Sequence, residues 1–178
     1  YPTGFILALR PLVAAGMVLP STQLTVNAVS GYSGGGKRMI EAYSSLPPVS
    51  RSVDAVRPLA LYGLDGRHKH LAEMQKFSLI ASPPLFVPSV APVFCGMTVS
   101  TPISRSSFVQ PNTTRAVHEV WKLCYGDAPM VELRDPDDSR VLRDGHFLDL
   151  DDVPRRNGIE LMVFGDTEIG LVLVARLD

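Results

Sequence analysis

Two short segments of the sequence carry residue types that could do chemistry: a glycine-rich loop and a pair of histidines. The loop runs over residues 30–38 as SGYSGGGKR, and the histidines stand two positions apart in the segment 68–73, HKHLAE. Successive backbone amides in such a loop can form an anion site, and an imidazole can exchange a proton near neutral pH. The two segments therefore suggest binding of an anionic group, proton transfer, or both.

The glycine-rich loop allows three interpretations. Gly31, Gly36 and Lys37 have the spacing of a phosphate-binding loop, but Arg38 stands where a Ser or Thr hydroxyl must hold magnesium. That mismatch disfavours a nucleotide-hydrolysing site. The simplest interpretation is a tight turn between a strand and a helix, which needs glycine for its backbone angles.

The third interpretation is a nucleophile elbow. Gly31-Tyr32-Ser33-Gly34-Gly35 satisfies the G-x-S-x-G pattern between a predicted strand and a predicted helix, with Ser33 as the nucleophile. Such a fold also needs an acid and a histidine at the ends of later parallel strands, whereas the later strands of this sequence are typical of antiparallel pairs. A serine hydrolase is therefore the alternative function.

The histidine pair also has more than one interpretation. His68, His70 and Glu73 resemble part of a metal site, but no further His or Cys lies nearby in sequence, so no metal is expected. If a helix begins near His70, Glu73 lies one turn along the same face and could orient the imidazole for acid–base chemistry. The alternative is a solvated helix start without a role. His118 and His146 are expected on the surface.

Hydrophobic periodicity and turn residues predict the elements that must position these segments. A buried helix is expected over 3–17 with a kink at Pro11, and prolines 83, 84, 88 and 92 indicate a loop or an edge strand. Strands outnumber helices, and the last two are expected to be antiparallel neighbours joined around residues 165–166. The other predicted helices cover 37–44, 71–77 and a segment from Asn112 or Thr113 to Cys124, and the predicted strands cover 23–30, 58–64, 95–103, 130–133, 159–164 and 171–177.

Composition excludes several classes of partner. The chain has 178 residues, 17 Lys and Arg against 18 Asp and Glu, a net charge of −1 and 46% hydrophobic residues, as in ordinary globular domains. Scattered basic residues predict no binding to nucleic acid and no attraction to an anionic membrane. No apolar stretch is long enough to cross a bilayer. Cys95 and Cys124 suggest neither a disulfide framework nor a metal knuckle, and a reducing cytoplasm is expected.

Five motifs, in order along the chain, carry a resemblance to a known family. They are residues 1–11, YPTGFILALRP, the loop 30–36, SGYSGGG, the segment 68–73, HKHLAE, residues 94–97, FCGM, and the terminal segment 163–178. In this order they resemble the shorter sequence type of the N-acetyl-gamma-glutamyl-phosphate reductases. The sequence departs from the family pattern at Gly35, where alanine is usual, and at Ala72, where the family has proline.

The resemblance implies a fold and a place in a larger protein. The expected fold is α+β, an antiparallel-rich mixed sheet with helices, like the second (catalytic) domain of glyceraldehyde-3-phosphate dehydrogenase. Residues 1–178 would be the catalytic and oligomerisation domain, inserted between two segments of a dinucleotide-binding domain. The family's nucleophilic cysteine would immediately precede Tyr1, and the isolated chain would be inactive.

The resemblance also implies the reaction and its residues. The family reduces N-acetyl-glutamyl 5-phosphate to the semialdehyde and phosphate with NADPH, a step of arginine biosynthesis, through a cysteine thioester. The implied partners are this small acyl phosphate, the chain's own dinucleotide-binding domain and further copies of the chain in a homo-oligomer. The site residues expected on this basis are His70, with His68 second and Glu73 as orienter, for catalysis, Tyr62, Ser30, Gly31 and Ser33 for substrate binding, and Gly34 for the NADP cofactor.

Overall fold

The computed structural model describes residues 1–45, 59–109, 113–150 and 157–177. The helices in these ranges are α1 (Pro2–Ala14), α2 (Gly36–Ser44), α3 (Leu71–Ser78) and α4 (Thr114–Tyr125). The strands are β1 (Thr25–Gly31), β2 (Ala60–Leu61), β3 (Leu85–Ala91), β4 (Met97–Ser104), β5 (Val131–Leu133), β6 (Ile159–Asp166) and β7 (Gly170–Leu177). Among the described residues, no helix is long and apolar enough to cross a membrane.

The strands form a single mixed sheet in the order β2-β3-β1-β4-β7-β6-β5. Two pairs are parallel, β1 with β3 and β5 with β6, and the other four neighbouring pairs are antiparallel. The predicted β6–β7 hairpin is confirmed, with full register from the Ile159–Leu177 pair to the Asp166–Gly170 pair. The predicted mixed, antiparallel-rich sheet is thus the observed one.

Helix α1 lies at the centre of the core because its sequence is apolar on nearly every side. Phe5, Leu9 and Leu12 are fully buried, and the helix contacts β4, β6 and β7 as well as α3 and α4. Gly4 allows this close approach, since an added Cβ would lie only 3.0 Å from the Cβ of Ala175. Pro11 lies inside the last turn, and the helix ends at Ala14.

Helix α4 is capped and anchored by side chains that its sequence supplies. The Thr113 hydroxyl accepts a hydrogen bond from the amide of Ala116 at 3.0 Å, which fixes the helix start. Trp121 is fully buried, and its indole nitrogen donates to the Ala8 carbonyl at 2.8 Å. Asn112, the other predicted cap, lies outside the described residues.

His118 was expected on the surface, but it is 7% exposed, because it shares the buried face of α4 with Val117 and Trp121. His146 is exposed, as expected.

Two further expectations differ from the structure. The proline-rich segment 83–92, expected to be a loop or an edge strand, contains β3, which lies between β2 and β1, although β2 pairs with β3 only at Ser89 and Val90. Pro88 lies opposite Ala28 of β1 and beyond the two residues that pair with β2, a locally edge-like position where proline is tolerated, and its carbonyl accepts a hydrogen bond from the Tyr62 amide at 3.1 Å. The strand predicted over 58–64 is reduced to Ala60–Leu61, and Pro58 lies outside the described residues.

A charged cluster lies on β6 and β7 away from the apolar core. Glu160 and Arg176 are 4% and 3% exposed, and the Arg176 Nε donates to Glu160 Oε2 at 2.7 Å. Arg134 pairs with the other carboxylate oxygen, at 3.1 Å from its Nε. Arg176 also donates to the Asp149 carbonyl at 3.2 Å, so this cluster ties the segment after β5 to the sheet.

Candidate active site

A cavity of about 290 Å³ lies at the carboxyl ends of the parallel strands β1 and β3, beside the first residue of α1. Ligands commonly bind at the carboxyl ends of parallel strands. Most of the sequence-predicted site residues meet here. The polar residues among those that line the cavity are Tyr1, Ser30, Tyr62, His68, Lys69 and His70, and the others are Gly34, Gly35, Met39, Val90 and Met97.

Separate elements bring the polar side chains to this cavity. Ser30 is the last residue but one of β1, where it lies opposite Val90 of β3 and Met97 of β4. Tyr62 directly follows β2, at the edge of the sheet. His68 and His70 lie in the turn that leads into α3, which begins at Leu71. The site therefore depends on the sheet order, because segments distant in sequence supply its residues.

The two histidine rings lie 4.7 Å apart between their centroids, yet they differ in hydrogen bonding. The Nδ1 atom of His68 accepts a bond from the backbone amide of His70 at 3.3 Å. In the neutral ring this bond places the proton of His68 on Nε2, so His68 is a donor towards its surroundings. The Nδ1 atom of His70 is buried and has no hydrogen-bond partner among the described residues. Thus no hydrogen bond to Nδ1 fixes the protonation state of His70 in the described part of the chain.

Both imidazoles favour the neutral form. Burial lowers the pKa of His70, and the neighbouring charges of His68 and Lys69 lower it further, whereas Glu73 raises it. Burial also lowers the pKa of His68, with Lys69 acting in the same direction. Neutral imidazoles near pH 7 can accept a proton, which is what an acid–base role requires.

The expected orienting contact from Glu73 is not a hydrogen bond in this structure. Glu73 is an exposed residue in the first turn of α3, and the Nδ1 atom of His70 is left without a partner. Glu73 reaches His70 through its charge, which favours the protonated imidazole. Within the described ranges, no group of three or more His, Cys, Asp and Glu side chains could hold a metal ion.

Three hydroxyls form a chain of hydrogen bonds along one wall of the cavity. The Tyr62 hydroxyl donates to the Tyr1 hydroxyl at 3.0 Å, and the Tyr1 hydroxyl lies 2.7 Å from the Ser30 hydroxyl. Burial raises the pKa of Tyr62, and its hydrogen bond to Tyr1 adds to this effect, so Tyr62 stays protonated. Tyr1 is not among the site residues that the sequence predicts, although the first motif of the family resemblance begins at this residue.

The glycine loop packs against the turn before β4 instead of presenting a row of free amides. Gly31 permits this contact, because an added Cβ would lie 2.7 Å from the Phe94 carbonyl oxygen. The amides of Gly31 and Ser33 already have acceptors and are not free to hold a phosphate, so substrate binding by these two residues stays a prediction that this hydrogen bonding does not support. The bonds run from Gly31 to Gly96 at 2.8 Å, from Tyr32 to Val93 at 2.9 Å and from Ser33 to Phe94 at 2.9 Å.

The remaining loop residues have different positions. Gly34 lines the cavity and is exposed, whereas Ser33 is half-buried in the 3₁₀ turn Tyr32–Gly35 and does not line it. Lys37 pairs with Glu41 at 3.8 Å on the exposed side of α2, away from the cavity lining. The loop is thus a strand-to-helix connection that holds Ser30 and Gly34 at the cavity.

The serine hydrolase alternative is not supported. An elbow serine must stand beside a catalytic histidine, but Ser33 lies outside the cavity that His68 and His70 line. Strand β1 is also antiparallel to its neighbour β4, so the loop does not follow a strand with parallel partners on both sides.

Comparison with known proteins shows the family to which the chain is similar. The family model described as "Semialdehyde dehydrogenase, dimerisation domain" matches residues 1–178. Proteins named N-acetyl-gamma-glutamyl-phosphate reductase are similar over the whole chain. Those of Nostoc sp. (named reductase 2) and Trichormus variabilis are 40% identical, and that of Rhizobium etli is 37% identical. The match covers 56% of each of these proteins, so the chain spans about half the length of the curated relatives it matches.

Solved structures show the same fold at low sequence identity. Aspartate semialdehyde dehydrogenase II of Vibrio cholerae aligns with a TM-score of 0.65 and 16% identity, over 97% of this chain and 53% of that one. A probable aspartate-semialdehyde dehydrogenase of Pseudomonas aeruginosa aligns with a TM-score of 0.60 and 17% identity, over 97% and 55%. These likenesses confirm the predicted fold class, and the relatives confirm the resemblance that the five motifs indicate. The chain therefore belongs to the semialdehyde dehydrogenase dimerisation domain family.

Proposed function

We propose that this chain is the catalytic and oligomerisation domain of an N-acetyl-gamma-glutamyl-phosphate reductase. The reaction is the NADPH-dependent reduction of N-acetyl-glutamyl 5-phosphate to the semialdehyde and phosphate, in arginine biosynthesis. The observation that carries the proposal is the cavity that joins His68, His70, Tyr62 and Ser30 beside the start of α1. The names of the relatives, which match this chain over its whole length, support the same reaction.

The position of α1 supports a nucleophile directly before Tyr1. Tyr1 lines the cavity and α1 begins at Pro2, so the amino-terminal end of this helix meets the site. Unpaired amides and the helix dipole at such an end favour a thiolate. In the proposed full-length protein a cysteine precedes Tyr1, and residues 1–178 are inserted between two segments of a dinucleotide-binding domain.

The residues of this chain would bind the substrate and move its protons. Lys69 places a positive charge at the cavity, suited to an anionic acyl phosphate. Attack of the cysteine thiolate on the acyl carbon forms a thioester and releases phosphate. His70 holds the proton that is exchanged with the thiol or with the forming aldehyde, and His68 donates a hydrogen bond from Nε2. Tyr62 and Ser30 fix the substrate through their hydroxyls.

The edge of the cavity at Gly34 fits a cofactor ring. Gly34 is exposed, and a Cβ added there would find its nearest neighbour, the Ser30 Oγ, 4.0 Å away, so this surface is open. A planar nicotinamide could lie against it. When bound, NADPH supplies the hydride, and the proposed partner domain would hold the rest of the dinucleotide.

The proposal extends to the assembly and the compartment. We infer a cytoplasmic homo-oligomer, in line with the description of the family as a dimerisation domain. The oligomeric state of the full-length protein, measured by sedimentation, checks this inference, and a strictly monomeric species at high concentration would contradict it.

An assay of the full-length protein tests the reaction. With N-acetyl-glutamyl 5-phosphate and NADPH, absorbance at the nicotinamide band should fall with turnover, and NADH should be the poorer substrate. The 178-residue chain alone should show no turnover. The Ser33→Ala variant of the full-length protein should keep measurable reductase activity, whereas labelling of Ser33 by a fluorophosphonate with rapid ester turnover would favour the hydrolase.

A further inference from the structure

We propose that Tyr1 is a positioning residue, which orients the hydroxyl of Ser30 so that this hydroxyl donates a hydrogen bond to an oxygen of the acyl-phosphate substrate. The proposal rests on the proposed reductase function and adds a residue to it. Its basis is the chain of hydroxyls from Tyr62 through Tyr1 to Ser30, together with the burial of Ser30, which is 6% exposed.

The direction of the hydrogen bonds follows from what each hydroxyl can do. Tyr62 remains protonated and donates to the Tyr1 oxygen at 3.0 Å. The Tyr1 hydroxyl then has one hydrogen to place, and its candidate acceptors are the Ser30 Oγ at 2.7 Å and the Ser89 carbonyl at 3.4 Å. The shorter distance lies in the preferred range for two hydroxyls, whereas the longer one is at the limit of a hydrogen bond. Tyr1 therefore donates to Ser30.

This arrangement leaves the hydrogen of Ser30 for the cavity. A phenolic hydroxyl is a stronger acid than an aliphatic one, which makes Tyr1 the better donor of the two. Because Ser30 accepts from Tyr1, its own hydrogen must point elsewhere, and Ser30 lines the cavity. A buried, pre-oriented donor of this kind fits an oxygen that carries negative charge, as an acyl phosphate provides.

The ring of Tyr1 is held in place by its neighbours, so its hydroxyl has a defined position. It packs edge-on against Phe86 at 5.4 Å between centroids, and against His68 and His70 at 6.2 and 6.1 Å. A Tyr1→Phe substitution preserves these ring contacts and removes the hydroxyl alone. This substitution is therefore a clean test.

A double-mutant cycle in the full-length protein tests the proposal. We expect Tyr1→Phe and Ser30→Ala each to lower kcat/KM for N-acetyl-glutamyl 5-phosphate about tenfold, the scale of one lost hydrogen bond. If Tyr1 acts through Ser30, the double variant should lose no more than Ser30→Ala alone. The matched control is Tyr125→Phe, which removes a half-buried hydroxyl that bonds the Leu7 carbonyl at 3.0 Å, away from the cavity. It should stay within about twofold of wild type.

The outcomes separate this proposal from the reductase function on which it rests. A Tyr1→Phe variant that matches Tyr125→Phe in kcat/KM, or a double variant whose losses multiply to about a hundredfold, would overturn the role of Tyr1 while the reductase function stands. A wild-type full-length protein without turnover would overturn the function and the role with it. Urea unfolding of the wild type, the two single variants and the double variant tests the chain of hydroxyls without an activity assay. The unfolding midpoint of the double variant should shift by less than the sum of the shifts of Tyr1→Phe and Ser30→Ala. Additive shifts would count against the chain of hydroxyls.

Discussion

His68 and His70 line the same cavity, but only His68 has a backbone hydrogen bond that fixes its tautomer. His68 is therefore a fixed donor when neutral, whereas His70 is free to take up or release a proton. This difference supports His70 as the acid–base residue. It could not be read from the sequence, because the two imidazoles occupy equivalent positions in the H-x-H motif.

Loss of the His70 imidazole should affect the chemical step more than substrate binding. In the full-length enzyme, we expect His70→Asn to lower kcat by about a hundredfold or more and to leave the substrate KM within a small factor, because a proton-transfer role is lost. His68→Asn should cost less, since it removes a hydrogen bond. Steady-state kinetics of both variants checks this order. Near-normal kcat in His70→Asn with abolished turnover in His68→Asn would reverse the assignment.

The pH dependence of kcat/KM should reflect the lowered pKa of His70. Burial stabilises its neutral form, so the imidazole remains able to accept a proton at pH values below the ordinary pKa of about 6.5. The acid limb of kcat/KM should therefore lie below pH of about 6.5, with activity lost as the pH falls through the lowered pKa. Glu73→Gln should move this limb to still lower pH, because the carboxylate favours the protonated ring. An acid limb of kcat/KM above pH of about 6.5, or an acid limb that is unchanged in His70→Asn, would contradict the acid–base role of His70.

At the scale of elements, the parallel pair β1–β3 determines where the site forms. Ser30 and Gly31 of β1 lie opposite Val90 and Ala91 of β3, and the loop after each strand packs against the other. At Gly31 the backbone of residues 94–95 lies so close that no room is left for a Cβ. The glycine there is required for packing and not for a positive backbone angle.

Substitution of this glycine should therefore reduce stability. A Cβ on Gly31 would lie 2.8 Å from the backbone nitrogen of Cys95, so the two loops must separate, and Gly31→Ala should lower the free energy of unfolding by roughly 1–3 kcal/mol. Gly34→Ala is the matched control in the same loop, since a Cβ there meets nothing within 4.0 Å except the Ser30 Oγ at that distance. It should change stability by less than about 0.5 kcal/mol. Urea unfolding of both variants measures the difference, and equal stabilities would refute the packing argument.

The sequence predicts the helices and the final hairpin well, because their signals are local. The Thr113 cap and the apolar positions of α4 define that helix, and the apolar runs of β6 and β7 on either side of residues 165–166 define the hairpin. Strand β3 is different. Its Pro88 argues for an edge by local rules, whereas β3 lies between β2 and β1; β2 pairs only with Ser89 and Val90, so Pro88 has a full strand neighbour on one side alone.

The sequence also predicts only part of the site, because its motifs are local signals. The motifs identify His68, His70, Tyr62 and Ser30, and the structure brings all four to one cavity. The acceptors of the Gly31, Tyr32 and Ser33 amides belong to residues 93–96, about 60 positions away in sequence, so the local pattern does not reveal them. The role of Tyr1 depends on distances to Ser30 and Tyr62, which only the folded chain provides.

For the whole molecule, the two halves of the sheet have separate functions in the proposed enzyme. Helices α1 and α4 bury the apolar residues of β6 and β7 on one face, including Leu161 and Leu173. The Glu160–Arg176 pair lies on alternate residues of these strands and ties down the segment up to Asp149. The cavity lies at the other half of the sheet, at the ends of β1 and β3, where the start of α1 and the proposed partner domain would meet it.

The most direct test of this account is to trap the acyl enzyme. The full-length protein is mixed with N-acetyl-glutamyl 5-phosphate in the absence of NADPH, and intact-protein and peptide mass spectrometry locate any acyl group. The account predicts one acyl group per chain, on a cysteine directly before Tyr1, which disappears when NADPH is added and forms more slowly in His70→Asn. An acyl group on Ser33, or no acyl group in a protein that turns over, would contradict it.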